Sequence, residues 1–74
     1  PKMKTLDLHN TKHDDVELKV INFLNWQDPP VRIITGKSER MQFIVEGVVK
    51  KYGYVCYHES TLNPGALIVS EKEW

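Results

Sequence analysis

Two short stretches hold side chains able to move protons or bind phosphate. The first is Thr5-Leu6-Asp7-Leu8-His9. It alternates strictly, so Leu6 and Leu8 fall on one face and Thr5, Asp7 and His9 on the other. An imidazole with an ordinary pKa of about 6.5 is suited to general acid or base work near neutrality. Asp7, two residues earlier on the same face, can orient that imidazole or help bind a hydrated divalent metal ion such as Mg²⁺ or Mn²⁺. The second stretch is Thr35-Gly36-Lys37-Ser38, followed by Arg40. It opens a helix, so free backbone N–H groups and the positive end of the helix dipole point outward. Gly36 permits close backbone approach, and Lys37, Ser38 and Arg40 add donors. Gly-Lys-Ser is not a P-loop, because the upstream glycine of that motif is missing. Each residue also has a plain structural reading: Gly36 as a turn glycine, Ser38 as an N-cap, Asp7 as a solvated strand residue and His9 as a strand end.

The surrounding pattern must bring these stretches together. Thr5 to His9 reads as a half-buried strand ended by Asn10, which tolerates turn geometry. Thr11 and Asp14 resemble a capping box, with Lys12 an equally good boundary. Val16, Val20, Ile21 and Leu24 then recur at helical spacing, giving a helix over 13–26 that Asp28-Pro29-Pro30 stops. Val31 to Ile34 is a second strand. Ser38 caps a helix of about 39–52 with Met41, Ile44, Val45, Val48 and Val49 on its apolar stripe, and Gly53 takes the left-handed C-terminal position. Tyr54 to His58 is a third strand, Asn63-Pro64-Gly65 a turn, and Ala66 to Val69 a fourth strand, with a frayed tail from Ser70 to Trp74. The loop between the last two strands is about seven residues long, counted from this pattern. The order is β-α-β-α-β-β. It predicts an α/β (α+β two-layer sandwich) fold, a four-stranded mixed sheet with two helices on one face. Ligands of such sheets collect at the C-terminal ends of parallel strands, where the His9 and Gly36 loops meet.

Size and composition bound the rest. A chain of 74 residues is one small domain, residues 1–74, with room for a shallow surface site and no deep cavity. Ten Lys and Arg balance ten Asp and Glu. That balance argues against strong non-specific attraction to phosphate backbones and leaves room for a local basic patch. Nothing approaches the run of about 18–20 apolar residues needed to cross a bilayer, so no membrane association is expected. A lone cysteine, Cys56, excludes an internal disulfide and points to a reducing, cytoplasmic setting. Among the remaining residues, His13 reads as a surface helix residue or a second site histidine, and His58 as a strand residue. Arg32 is a solvated or phosphate-contacting residue of the exposed sheet face. Trp26, Tyr54 and Tyr57 read as core or core-edge aromatics, or as stacking platforms for bases, and Cys56 as a small buried apolar residue.

Three blocks in order give the chain a family resemblance. Leu6-Asp7-Leu8-His9-Asn10, Ile34-Thr35-Gly36-Lys37-Ser38 and Asn63-Pro64-Gly65-Ala66-Leu67-Ile68-Val69 resemble the three conserved blocks of the Smr (small MutS-related) domain, with matching lengths between them. The resemblance implies a fold similar to the C-terminal domain of bacterial translation initiation factor three. It also implies binding of DNA or RNA, often with nicking or endonuclease activity. Carried over, Asp7 and His9 are the family's opening acid and histidine, and Thr35, Gly36 and Lys37 its second motif. Asn10 and Ser38 each replace a glycine of the family pattern, and Thr35 stands where histidine is commoner, leaving His9 as the evident proton carrier. The expectation is a DNA or RNA endonuclease with catalytic Asp7 and His9 and a phosphate-binding set of Thr35, Gly36, Lys37, Ser38 and Arg40. The alternatives are a non-catalytic nucleic-acid-binding module and a protein-interaction adaptor.

Overall fold

The computed structural model describes residues 3–71. Its elements are β1 (Lys4–Asp7), α1 (His13–Trp26), β2 (Val31–Ile34), α2 (Glu39–Lys51), β3 (Val55–Ser60) and β4 (Asn63–Ser70). Of the expected tail from Ser70 to Trp74, Ser70 instead ends β4, paired with Val55, and 72–74 lie outside the described residues.

Four strands form one mixed sheet in the order β1-β2-β4-β3. β1 and β2 are parallel, and β4 runs antiparallel to both β2 and β3. β3 is therefore parallel to β2, and both helical crossovers step across the sheet in the same direction. Right-handed crossovers that step the same way put both helices on the same face. The core lies between them: Val16, Val20 and Leu24 from α1 and Met41, Val45, Val48 and Val49 from α2 meet Leu8, Val31, Ile33, Leu67 and Val69 from the sheet side.

Local chemistry sets the helix ends. Ser38 is the N-cap of α2, its Oγ accepting the Met41 N–H at 3.2 Å. At the other end Gly53 has φ +76° and its N–H donates to the Lys50 carbonyl, while the Tyr54 N–H donates to the Val49 carbonyl. Those paired bonds are a Schellman stop. α1 starts at His13 as expected, and of the two boundary alternatives its N-cap is Lys12, with no side-chain cap, so the Thr11–Asp14 capping box does not form. The Thr11 N–H instead closes the turn after β1 by donating to the Leu8 carbonyl at 3.0 Å. The early acids Asp14 and Asp15 remain as the favourable charge at that end.

Three further expectations are corrected. β1 ends at Asp7 rather than His9, because Asn10 takes a left-handed φ of 64° and turns the chain. Asn63-Pro64-Gly65 is the start of β4, not a turn; Ser60 pairs with Asn63, and Thr61 and Leu62 alone make the hairpin tip. Pro64 fits because the β3–β4 register shifts between His58 and Ser60, where a missing ladder N–H does no harm. Finally, Trp26 is 84% exposed and Tyr57 51% exposed, so neither is a core aromatic. Tyr54 packs at the core edge and stacks on Tyr52.

Candidate phosphodiester site at the parallel strand ends

β1 and β2 end side by side, with Asp7 opposite Ile34. The Leu8 N–H donates to the Ile34 carbonyl at 2.8 Å, carrying the parallel ladder one residue past β1. Leu8 is fully buried, so it anchors the backbone between the two exposed polar residues. Asp7 Oδ1 accepts the His9 backbone N–H at 3.0 Å and lies 2.5 Å from His9 Nδ1. A carboxylate only accepts, so Nδ1 carries the proton in this contact, and in a neutral imidazole the lone pair is then on Nε2. Asp7 and His9 thus form an oriented acid–imidazole pair, as the sequence pattern suggests.

The pair also sets the ionisation of Asp7. The side-chain bond to His9, with the His9 backbone N–H second, holds the carboxyl below its usual value of 3.8. A lowered folded pKa means the stabilising contact is complete above the unfolded value and is lost as the pH falls through the folded one. A ¹³C NMR titration should therefore show Asp7 ionising below 3.8, and His9→Ala should move it back up. An unchanged Asp7 titration in His9→Ala would show that the pair does not persist in solution.

The second loop is tied to β4. The Thr35 and Gly36 N–H groups both donate to the Gly65 carbonyl, at 2.8 and 2.9 Å. Gly65 lies so close to the loop that a Cβ on it would sit 3.1 Å from Gly36 Cα and 3.2 Å from Gly36 C. The close backbone approach expected of Gly36 is thus made to Gly65, and the Gly36 N–H is already used. Thr35 is buried, and its hydroxyl lies 2.9 Å from the Gly36 carbonyl and 3.3 Å from that of Gly65. Thr35 shapes the loop and shows no surface to a ligand. Gln42, which the sequence does not signal, completes the clamp: its Nε2 donates to the Gly36 and Pro64 carbonyls at 3.1 and 3.0 Å.

Lys37 and Arg40 are exposed beside this clamp. The first N–H groups of a helix have no intrahelical acceptor, and Ser38 covers that of Met41, so those of Glu39 and Arg40 remain for a ligand. His13 begins α1 and lies, through Nε2, 3.4 Å from Ser38 Oγ. Both helices follow parallel strands, so both start at the same edge of the sheet. That common origin brings His13 to Ser38, and no local sequence feature reports it. Two close pairs thus lie at this end of the sheet, Asp7 with His9 after β1 and His13 with Ser38 at the helix starts, and Lys37 and Arg40 are exposed around the start of α2.

Arg32 lies on the same sheet face as Asp7, away from the helices, and its charge is a lesser cause of the lowered Asp7 pKa; it makes a two-pronged ion pair with Glu59, at 2.8 and 2.9 Å. His58 Nδ1 lies 3.2 Å from the Pro64 carbonyl. Cys56 is half-buried, and burial pushes its thiol pKa up, which disfavours the reactive thiolate. Among the described residues, no group of three or more His, Cys, Asp or Glu is placed to enclose a metal ion. A divalent ion at Asp7 would have to complete its shell with water and substrate phosphate oxygens, a mode Mg²⁺ accepts. No described helix is long and apolar enough to cross a membrane. No family model matches the chain, and no curated protein or solved structure matches it significantly.

Proposed function

We propose that the chain is an Smr-like nucleic-acid-binding domain that cleaves phosphodiester bonds in DNA or RNA at the β1–β2 end. The observation that carries this reading is the Asp7–His9 pair held at the end of β1, next to the end of β2. His9 Nε2 removes the proton from an attacking water as that oxygen bonds to phosphorus. The resulting imidazolium can return the proton to the departing strand oxygen. Lys37, Arg40 and the first N–H groups of α2 hold the phosphate and offset the charge that builds on its oxygens. Asp7 keeps the imidazole in the tautomer this needs. A divalent ion, if bound through Asp7, would supply further charge to the phosphate.

A second reading, binding without cleavage, draws on a different observation. Asp14, Asp15 and Glu39 stand in the first turns of the two helices, so charge at this end is mixed and the attraction for phosphate is local.

The test is incubation of rigorously purified protein with supercoiled plasmid and with structured RNA, in Mg²⁺, Mn²⁺ or chelator, with binding followed as salt is raised. Nicked plasmid or discrete RNA fragments, and salt-sensitive binding weakened by Lys37→Ala, are expected. Binding without cleavage would leave the second reading. Absence of both would refute the proposal and favour a protein-interaction role.

A further inference from the structure

A groove of about 410 Å³ runs between the outer faces of α1 and α2. Contacts between the helices close both ends. His13 Nε2 lies 3.4 Å from Ser38 Oγ at the loop end. Glu17 lies 3.7 Å from Lys51 Nζ at the other end. Ile44 and Val48 give the groove an apolar floor. Phe43 stands beside it 79% exposed, an expensive position for a large aromatic in contact with water alone. One helical turn further on, Gly47 leaves the groove open, since a Cβ there would meet nothing within 4 Å. Asp14 and Glu17 bring carboxylates from the α1 side.

We propose that this groove receives one nucleobase of a single-stranded or unpaired segment, stacked on Phe43 over Gly47, while the adjoining phosphate sits at Lys37 and Arg40. The inference rests on the phosphate reading above and adds the ligand chemistry that accompanies it. Three observations support it. The first is continuity: His13 lines the groove and touches Ser38, so groove and phosphate loop share a wall. The second is polarity. Lys37 and Arg40 lie at the loop end, where Asp14 and Glu39 also stand, and the groove is lined by Asp14 and by Glu17 paired with Lys51, so it offers carboxylate acceptors to a ring carrying amino donors. A nucleotide has the complementary polarity, anionic at one end and donor-bearing at the other. The third is alignment. Arg40, Phe43 and Gly47 recur at i, i+3 and i+7, along one stripe of α2. Arg40 and Phe43 are separated by a rise of about 4.5 Å, within the reach of a single nucleotide.

The groove lies at the small end of the range for ligand sites, about 300–1,000 Å³. It fits one nucleoside and excludes a duplex, so the preferred substrate is a loop, bulge, nick or single strand. Asp14 and Glu17 accept hydrogen bonds, so adenine and cytosine, with exposed amino groups, bind better than thymine or uracil.

The test uses fluorescence anisotropy with fluorescein-labelled strands of about 12 nucleotides: all adenine, all thymine and all abasic. Wild type, Phe43→Ala and Gly47→Leu are compared, with AMP as a competitor. Gly47→Leu fills the groove from a position that has room for the side chain, so the fold is retained; circular dichroism checks this for both variants. Wild type is expected to bind adenine over thymine over abasic strands. Both variants should lose about 5- to 150-fold on the adenine strand, the range of one lost base–aromatic stack, and little on the abasic one. Folded variants that bind all three strands as wild type does would overturn the groove assignment and leave the phosphate reading standing. Failure of wild type to bind any strand would instead remove the phosphate reading and the groove with it. AMP competing as tightly as the adenine strand would overturn the assignment to a strand.

Discussion

His9→Ala lowers the rate of strand cleavage by about 10²–10⁴-fold, the usual contribution of a positioned general acid or base. Substrate binding changes little, because in the proposed mechanism His9 transfers a proton while Lys37 and Arg40 contact the phosphate. His9 is also 64% exposed in its side chain, so its removal costs the fold little. Asp7→Asn should fall between wild type and His9→Ala. An amide can accept the His9 bond in one orientation, and in the other it donates and forces the wrong tautomer. The measurement is initial rate under saturating substrate, with Kd determined separately. A rate unchanged in His9→Ala would remove His9 from the chemistry.

Gly65→Val destabilises the fold by about 1–3 kcal/mol, the typical cost of forcing extra atoms into a packed contact. The three atoms nearest the new Cβ, at 3.1, 3.2 and 3.3 Å, all belong to the Gly36 backbone. No flexible side chain can swing away, so β4 and the β2–α2 loop must separate. That separation stretches the two bonds from the Thr35 and Gly36 N–H groups to the Gly65 carbonyl, and the loop that presents Lys37 shifts with them. Stability and phosphate binding should therefore fall together. Gly47→Ala is the control. Its Cβ meets nothing within 4 Å and it lies within α2, where alanine is favoured over glycine by about 0.5–1 kcal/mol. For a domain of this size each kcal/mol is about 4–8 °C in Tm, so thermal melts should separate the two variants clearly. A Gly65→Val protein as stable as wild type would show that the glycine-on-glycine contact is not tight in solution.

The fold is legible from periodicity wherever one face of an element is buried. The recurrence of Val16, Val20 and Leu24 fixes α1, and the cap and stop signals at Ser38 and Gly53 fix α2, because those effects are local. The β3–β4 connection is misread for the opposite reason. Asn63-Pro64-Gly65 has turn composition, but tertiary contacts decide its conformation. Gly65 is needed in β4 because Gly36 packs on it, and the Pro64 carbonyl is held by Gln42. The site divides the same way. Asp7 and His9 are readable as a pair because alternation in a strand puts them on one face. His13 meets Ser38 across 25 residues of sequence, through two helices that start at one sheet edge, and Gln42 reaches back to two carbonyls on other segments. Neither contact has a local signature. Trp26 looks like a core residue by type, yet it lies at the last turn of α1, beyond the stripe that faces the sheet.

The proposed function puts nucleic acid at the C-terminal ends of β1 and β2. A ¹⁵N–¹H NMR titration of the protein with a short single-stranded oligonucleotide tests it most directly. The expected result is progressive, salt-sensitive shifts centred on Asp7–Asn10, His13 and Gly36–Arg40. Shifts confined to the β3–β4 strands, around Tyr57 and Ile68, would contradict it.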